Sequence, residues 1–272
     1  MYSLNMKITN AKAFITGSAR GIGREIALEL ARNGCSLILS DIVEDELVAT
    51  AQECRALGVD VEAFQLDVTD VAAVADCAER ISDIDILINN AGTVHGGGFL
   101  DTSMESHIHT SRVNFEGLMA VTHAILPALL LRPQAMVVNI ASAAGFAGLP
   151  FGTSYAATKW AVLGFGESLR LELKEQGHNH IRVLHVCPSY VDGDLFRGVG
   201  RIGLARVIDP RILARRIVLS IQRDRGWLRI PWLVAATPII MAVFPRAITD
   251  RILRFLGVTT SMLKWKGRGE TQ

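Results

Sequence analysis

The hydrophobic residues of the chain fall into short apolar runs that alternate with longer stretches in which apolar side chains recur at helical spacing. The first run, residues 11–16, is typical of a buried strand and ends at a glycine-rich turn. Ile22, Ile26 and Leu30 then recur at helical spacing, and Gly34 ends that segment. The alternation predicts further strands at 36–40, 61–66, 85–89, 135–140 and 181–187, and helices at 23–33, 44–57, 71–81 and 154–176.

Strands that alternate with helices of about ten or more residues predict a parallel sheet covered by helices on both faces. We therefore expect an α/β chain with a single doubly wound domain of Rossmann type over residues 1–272. No linker-like segment interrupts the alternation before about residue 192. From 192 to 272 the regular order is lost, which indicates a substrate loop and an apolar helical C-terminal extension, with one last strand at 227–230.

Composition narrows the classes of function. The chain has 272 residues, of which 50% are hydrophobic, and its formal net charge of +1 gives no electrostatic footprint for a nucleic acid. Four cysteines without metal-ligand spacing, and residues 1–10 without a secretion pattern, favour reduced, buried thiols in a cytoplasmic protein. The histidine pairs at 107/109 and 178/180 do not share a helix face, so no metal site is expected.

The turn after the first predicted strand reads Thr16-Gly17-Ser18-Ala19-Arg20-Gly21-Ile22-Gly23. Its glycines allow a sharp turn and a close approach of the backbone to a pyrophosphate, and the following helix directs N–H groups and a positive dipole towards that group. The spacing Gly-x-x-x-Gly-x-Gly differs from the commoner Gly-x-Gly-x-x-Gly, and a glycine turn without a ligand has the same pattern. Alone, the turn is a weak indication of a dinucleotide site.

The end of the second predicted strand bears on the choice of dinucleotide. Asp41 lies 20 residues after Gly21, at the position where an acidic side chain binds the adenosine ribose hydroxyls of NAD. Its carboxylate would repel the additional phosphate of NADP, whereas Arg20 in the turn could pair with that phosphate. We expect NAD, because Asp41 ends the strand at the ribose position, with NADP as the alternative.

Further motifs follow the glycine turn in order. They are Asp67-Val68 after the third strand, Asn89-Asn90-Ala91-Gly92 after the fourth, then Asn114, Ser142, Tyr155-x-x-x-Lys159, and Pro188 after the sixth strand. Over residues 9–195 the chain resembles the short-chain dehydrogenases/reductases. The resemblance implies a catalytic group of Asn114, Ser142, Tyr155 and Lys159. It also implies that the cofactor binds Thr16, Gly17, Ser18, Arg20, Gly21, Ile22, Gly23, Asp41, Asp67, Val68, Asn90, Ala91, Gly92, Tyr155, Lys159, Pro188 and Val191.

The catalytic residue types suit proton transfer to and from an alcohol oxygen. Tyr155 and Lys159 are four positions apart and therefore share one face of the predicted helix. A free phenol has a pKa of ~10, and a neighbouring ammonium lowers that pKa, as does the positive nicotinamide of the oxidised cofactor. We expect Tyr155 to be the acid/base and Ser142 to hold the substrate oxygen. The resemblance alone assigns Asn114, as the residue that holds a water in the proton relay.

These residues predict an oxidoreductase that transfers a hydride between NAD(H) and a secondary or lipophilic alcohol or ketone. One alternative is an NADPH-dependent ketoreductase of acyl chains. Another is a non-catalytic dinucleotide-sensing protein, which would have no reason to retain Asn114, Ser142, Tyr155 and Lys159 together. A homodimer or homotetramer is also expected.

Two features depart from the family's pattern. After the sixth strand the family commonly has Pro-Gly and, a few residues later, a Thr that binds the nicotinamide amide. Here Ser189 follows Pro188, and Gly193 occupies the expected Thr position. This puts the amide contact in doubt, with backbone groups or Asp192 as the substitutes.

The second departure is a long apolar extension from about residue 210. Its stretch 230–245 holds 16 residues, fewer than the ~20 of a spanning helix. Apolar blocks at 238–244 and 248–256 are mixed with Arg246, Arg251 and Arg254 and followed by Lys264, Lys266 and Arg268. We expect these segments to cap the substrate pocket or form a subunit interface. Peripheral contact with the inner face of a membrane is the alternative, and all three suit a steroid, a retinoid or a long-chain lipid.

Overall fold

A computed structural model describes residues 5–199 and 207–267. Its sheet consists of β1 (Lys12–Thr16), β2 (Ser36–Asp41), β3 (Val61–Gln65), β4 (Ile86–Asn89), β5 (Ala135–Ile140), β6 (Ile181–Pro188) and β7 (Trp227–Ile230). All seven strands are parallel, in the order β3-β2-β1-β4-β5-β6-β7. The predicted doubly wound α/β fold is confirmed, with a reversal of strand order between β1 and β4 that forms a crevice at the carboxyl edge.

Nine α-helices surround or extend this sheet in the described part of the chain. They are α1 (Gly21–Arg32), α2 (Glu44–Arg55), α3 (Val71–Arg80), α4 (Met104–Ser111), α5 (Gly117–Leu130), α6 (Thr153–Glu175), α7 (Pro210–Gln222), α8 (Trp232–Val243) and α9 (Arg246–Phe255). A π-helical turn, Arg112–Glu116, joins α4 to α5.

The two faces of the sheet bury two separate hydrophobic cores. Successive side chains of a strand point to opposite faces, so Ile15 of β1 packs with Ile26 of α1 and Ile217 of α7, while its neighbour Phe14 packs with Val121 of α5. Because both faces are covered, the central strands β4 and β5 are fully buried and almost wholly apolar rather than alternating. This burial fixes the carboxyl edge, where the site residues lie.

The helical stretch Met104–Leu130 had no counterpart in the sequence-based prediction. By length and composition it is apolar enough to cross a membrane, and it is the one stretch in the described residues that meets this test. In the fold it contacts α3, α6, β4 and β5, and Val121, Ile125 and Leu129 are buried in the core beneath the sheet. It is therefore a core helix of the α/β domain.

The extension forms α8, α9 and a 3-10 segment, Val258–Lys264, as its apolar composition predicted. Helix α8 follows β7 directly and contacts both that strand and α9. Because α8 follows the carboxyl end of β7, and β7 runs parallel to the other strands, α8 begins at the carboxyl edge of the sheet. Arg268, the last of the expected basic residues, lies outside the described residues.

Candidate active site

A cleft of about 440 Å³ opens at the carboxyl ends of the central strands. The glycine turn and the ends of β2 and β4 line one end, and residues after β5 and β6 line the middle. The wall opposite comes from α8 and α9, through Leu233, Val234, Thr237, Leu253 and Leu256. The cleft therefore joins a polar end suited to a dinucleotide to an apolar end suited to a lipophilic group.

Hydrogen bonds from Asn90 and Thr16 hold the glycine turn against β4. Asn90 Nδ2 donates to the carbonyl oxygens of Gly17, at 2.7 Å, and Thr16, at 3.1 Å. The backbone N–H groups of Asn90 and Ala91 both donate to Thr16 Oγ1 at 3.1 Å. Residues far apart in sequence thus fix the shape of the turn before any ligand binds.

The turn leaves no room for side chains at two of its glycines. Gly17 has φ +66°, a left-handed conformation that favours glycine, and a Cβ there would lie 2.7 Å from Ala91 Cα. A Cβ on Gly23 would lie 2.1 Å from the Gly17 carbonyl oxygen. The missing side chains bring the first turn of α1 against the strand ends, and Gly21 and Ile22 reach the cleft.

The start of α1 fits the pyrophosphate of a dinucleotide. Within the described residues this helix has no side-chain N-cap, and Arg20 before it is extended. Its first N–H groups are therefore available to an anion, with the positive end of the helix dipole behind them.

Asp41 closes the adenosine end of the cleft. Its carboxylate accepts hydrogen bonds from Ala19 N at 2.9 Å and Val43 N at 3.1 Å, so the side chain is held in place and largely buried. Arg20 lines the same end but pairs with Glu46, at 3.3 Å. The fixed carboxylate suits two ribose hydroxyls, and Glu46 competes with any phosphate for the arginine.

Ser142 and Tyr155 both line the middle of the cleft. Ser142 follows β5 and accepts a hydrogen bond from Ala144 N at 3.1 Å. Burial raises the pKa of Tyr155 well above its usual value, an effect that the nearby Ser142 hydroxyl reduces and Tyr190 increases. Tyr155 in the chain alone is therefore a phenol that can donate a proton.

Lys159 lies one helical turn after Tyr155, with Nζ 5.6 Å from the centroid of the tyrosine ring. Nζ donates to the carbonyl oxygen of Ile140 at 2.9 Å. Burial lowers the pKa of Lys159 to about 8, against a smaller opposite effect of Cys187. The side chain is thus a cation at neutral pH, beside the Tyr155 ring.

The lowered pKa of Lys159 predicts a pH-dependent contribution to stability. The unfolded chain, with a lysine pKa of 10.5, binds more protons than the folded chain between pH 8 and 10.5. The free energy of unfolding should therefore rise with pH in that window, by up to ~1.4 kcal/mol per unit for this group. Urea unfolding of the wild type and of Lys159→Met at pH 7.5 and 9.5 checks this, and an equal response of both proteins would contradict it.

Asn114 lies behind the cleft rather than in its lining. It sits in the π-helical turn, and its Oδ1 accepts a 2.7 Å bond from Thr93 N. Its Nδ2 donates to Thr93 O at 2.9 Å and to Thr158 Oγ1 at 3.1 Å. Both side-chain donors are therefore used within the chain. The predicted water would therefore donate to the backbone carbonyl oxygen of Asn114 or to the second lone pair of its Oδ1. This contact stays a prediction.

The remaining predicted residues separate into two groups. The cleft is lined by Gly17, Arg20, Gly21, Ile22, Asp41, Asp67, Val68, Asn90, Ala91, Gly92, Ser142, Tyr155, Lys159, Pro188 and Val191. Three other residues of the glycine turn, Thr16, Ser18 and Gly23, are buried and do not line the cleft. Ser18 Oγ bonds Ser40 O at 3.1 Å, so this group shapes the turn instead of facing the cleft.

The loop after β6 contributes residues that sequence reasoning missed. Phe196 packs edge-on against Tyr155, with ring centroids 5.7 Å apart, and Tyr190 packs against Phe196 at 5.1 Å. The end of the extension fastens this loop, because Ser261 bonds the Tyr190 hydroxyl at 2.9 Å and Trp265 Nε1 donates to Leu195 O at 3.0 Å. No motif in the sequence indicates these long-range contacts.

Gly193, at the position where the family has Thr, also lines the cleft. Its φ of +146° is a conformation that residues with side chains rarely adopt. The backbone at this point is therefore built for glycine, and a threonine could not take the same conformation without strain. Asp192 lines the cleft beside it, with its backbone N–H bonded to Ile208 O at 2.9 Å.

The sheet order, the glycine turn at the β1/β4 crevice and the Ser–Tyr–Lys group define a dinucleotide-binding α/β oxidoreductase. The family model "short chain dehydrogenase" matches residues 11–201. The chain belongs to the short-chain dehydrogenase/reductase family, as the sequence motifs predicted. It is a nicotinamide-dependent enzyme that acts on CH–OH groups, and the non-catalytic alternative is set aside.

Individual relatives agree with this assignment. Epidermal retinol dehydrogenase 2 of Homo sapiens is 32% identical over 255 residues, 91% of this chain and 82% of the relative. Estradiol 17-beta-dehydrogenase 11 of Rattus norvegicus is 30% identical over 248 residues, 90% and 83% of the two chains. Among solved structures, a short-chain dehydrogenase from Sphingobium yanoikuyae in complex with NADPH is 32% identical, with a TM-score of 0.74 over 87% of this chain and 97% of that one.

Proposed function

We propose that this enzyme transfers a hydride between NAD(H) and a secondary or lipophilic alcohol or ketone, with Tyr155 as the acid/base. One observation carries the proposal. Ser142, Tyr155 and Lys159 lie together in a single cleft, and the far wall of that cleft is made of apolar side chains from α8 and the end of α9. Proton transfer and an apolar substrate site are therefore adjacent.

The side chains divide the chemistry between them. Ser142 Oγ and the Tyr155 hydroxyl both bind the substrate oxygen and keep its carbon facing the cofactor end of the cleft. In ketone reduction Tyr155 donates its proton to that oxygen, which its raised pKa favours. In alcohol oxidation the Lys159 ammonium stabilises the phenolate that accepts the proton. A bound nicotinamide supplies the hydride acceptor or donor.

The lining supports a lipophilic substrate. Leu233 and Val234 of α8, Leu253 of α9 and Leu256 just after α9 face the cleft. Leu149 and Phe196 add apolar surface beside Tyr155. Two relatives carry the names of enzymes for retinol and estradiol, which are both lipophilic alcohols. Ile240 and Phe244, which belong to the same extension, do not line the cleft.

Turnover of matched alcohols tests this proposal. Steroid, retinoid and long-chain secondary alcohols are compared with 2-propanol, each with NAD and with NADP. We expect kcat/KM to be higher for the lipophilic alcohols because their apolar surface is buried against α8 and α9. Equal kcat/KM for 2-propanol and the lipophilic alcohols would overturn the substrate class, and no oxidation of any alcohol would overturn the function.

We also propose that NAD is preferred, because Asp41 is held at the ribose position by two backbone N–H groups. Replacing Asp41 with Ala should raise the Kd for NADH, because the ribose hydroxyls lose their acceptor. The Kd for NADPH should fall relative to the Kd for NADH, because a carboxylate that repels the additional phosphate is lost. The ratio of the two Kd values, measured by nicotinamide fluorescence, should change about tenfold or more. The ratio cancels any general damage to the turn, and a wild type that binds NADPH more tightly would contradict the assignment.

The second candidate is an NADPH-dependent ketoreductase of acyl chains. Arg20 favours it, because this guanidinium lines the adenosine end of the cleft and needs only to leave Glu46 to bind a phosphate. The solved Sphingobium yanoikuyae structure is a complex with NADPH. Activity on a 3-ketoacyl thioester with NADPH, and none on lipophilic alcohols with NAD, would select this candidate.

A further inference from the structure

Helix α8 carries an exposed face that is wholly apolar. Trp232, Ala235, Ile239, Ala242 and Val243 recur at helical spacing on one side of the helix, and all five are exposed. Trp232 is 79% and Ile239 66% exposed. Side chains of this size are rarely left in water as a continuous stripe.

Helix α9 adds a second exposed face that is both apolar and basic. Ile248 and Phe255 lie two turns apart, with Arg251 between them on the same side, and Phe255 is 89% exposed. Arg246 and Arg254 are exposed along its flank. The helix carries three arginines against a single carboxylate, that of Asp250. Apolar side chains mixed with arginines are typical of a helix that lies in a membrane interface.

The opposite sides of the same two helices line the cleft. Thr249 of α9 is buried and Leu253 and Leu256 face the cavity, while Leu233 and Val234 do so from α8. Each helix therefore lies between the substrate site and the outer surface. A partner that covers the outer faces of α8 and α9 would therefore lie next to the apolar end of the cleft.

We propose that the outer faces of α8 and α9 dock on an anionic phospholipid surface, and that the lipophilic substrate enters the cleft from that surface. The substrate part of this inference rests on the proposed function. Charge decides between the possible occupants of the surface. Lipid phosphates pair with Arg246, Arg251 and Arg254, whereas burial of the same arginines in the core of an interface with a second copy would leave like charges facing each other.

Vesicle binding of the full chain tests the docking without any substrate. The protein is co-sedimented with vesicles of phosphatidylcholine containing phosphatidylglycerol, and with vesicles of phosphatidylcholine alone. We expect binding to the anionic vesicles that weakens as salt is added, because exposed charges are screened. Absence of binding to the anionic vesicles would overturn the proposal.

Matched variants locate the binding surface. Ile239→Asp and Phe255→Asp should each weaken vesicle binding about tenfold or more, and Arg251→Glu should weaken binding only to the anionic vesicles. Leu131→Asp is the control, since Leu131 is 82% exposed but lies just before β5 begins, at the opposite edge of the sheet. Equal loss of binding in the control and the other variants would overturn the proposal.

Two further measurements separate the remaining outcomes. Light scattering in solution shows whether Ile239→Asp or Phe255→Asp converts an oligomer to a monomer, and that result would assign the surface to a second copy instead. Turnover of a soluble alcohol should be unchanged in both variants, while turnover of a vesicle-embedded alcohol should fall. Vesicle binding without oxidation of any alcohol would refute the proposed function and leave the docking intact.

Discussion

Replacing Tyr155 with Phe is expected to lower kcat about 10²- to 10⁴-fold, the usual contribution of a general acid/base. The substitution removes only the hydroxyl that exchanges a proton with the substrate oxygen. The ring, which packs against Phe196 at 5.7 Å, stays in place. Ser142 keeps its own bond to Ala144 N, so the backbone around the site should not change.

The measurement is steady-state turnover of a lipophilic alcohol, with the Kd for NADH determined on the same protein. Cofactor binding should remain within a few-fold of the wild type, because the glycine turn, Asp41 and Asn90 at the dinucleotide end of the cleft are unchanged. Retention of more than about a tenth of the wild-type kcat would show that another group carries the proton.

Replacing Gly23 with Ala should weaken cofactor binding about ten- to a hundredfold. The new methyl group would lie 2.1 Å from Gly17 O and 2.5 Å from Asn90 Nδ2, which are themselves joined by a 2.7 Å hydrogen bond. Neither neighbour can give way without moving the glycine turn, and overpacking of this kind costs ~1–3 kcal/mol. The effect should appear as a higher Kd for NADH and a lower Tm.

Gly164→Ala in α6 is the matched control. Apart from the adjoining residues and backbone of its own helix, no atom of the described residues lies within 4 Å of a Cβ built at Gly164. Alanine also favours a helix over glycine by up to ~1 kcal/mol. This variant should bind NADH normally and unfold at an equal or higher temperature. Normal NADH binding by Gly23→Ala would show that the close approach of α1 to the turn does not shape the cofactor site.

The sheet and the polar half of the cleft could be predicted because local patterns determine them. Each strand from β1 to β6 is a short apolar run, and the predicted bounds differ from the observed ones by about one residue. Gly17 directly follows β1, and Asp41 is the last residue of β2. Because the strands are parallel, both residues lie at the carboxyl edge of the sheet. The topology then places the Tyr155 helix beside them.

The apolar half of the cleft could not be predicted because long-range packing determines it. Tyr190 and Ser261 are 71 residues apart in sequence, and Trp265 is 70 residues from Leu195, yet these contacts hold the substrate loop. The periodicity of 238–256 indicates helices but not which side faces the cleft. Leu253 faces it and Phe255 does not, although both are apolar.

Asn114 illustrates a different limit. The motif order singles this residue out, but its position in a π-helical turn depends on a local irregularity that apolar spacing does not reveal. Its side chain is held by Thr93, which directly follows the Asn89–Gly92 motif, and by Thr158, an unspecified position of the Tyr155-x-x-x-Lys159 motif, so neither contact is indicated by the motifs themselves. Sequence reasoning thus identified the residue without the contacts that determine what it can do.

Isotope transfer tests the central claim, hydride exchange between a lipophilic alcohol and NAD, most directly. The wild-type protein is incubated with NAD⁺ and a steroid or long-chain secondary alcohol that carries deuterium on its carbinol carbon, and the NADH formed is analysed by mass spectrometry. Direct hydride transfer predicts one deuterium in the reduced nicotinamide. With an alcohol that carries deuterium on its hydroxyl group instead, the NADH should contain none. NADH without deuterium, or no NADH with any lipophilic alcohol, would contradict the proposed function.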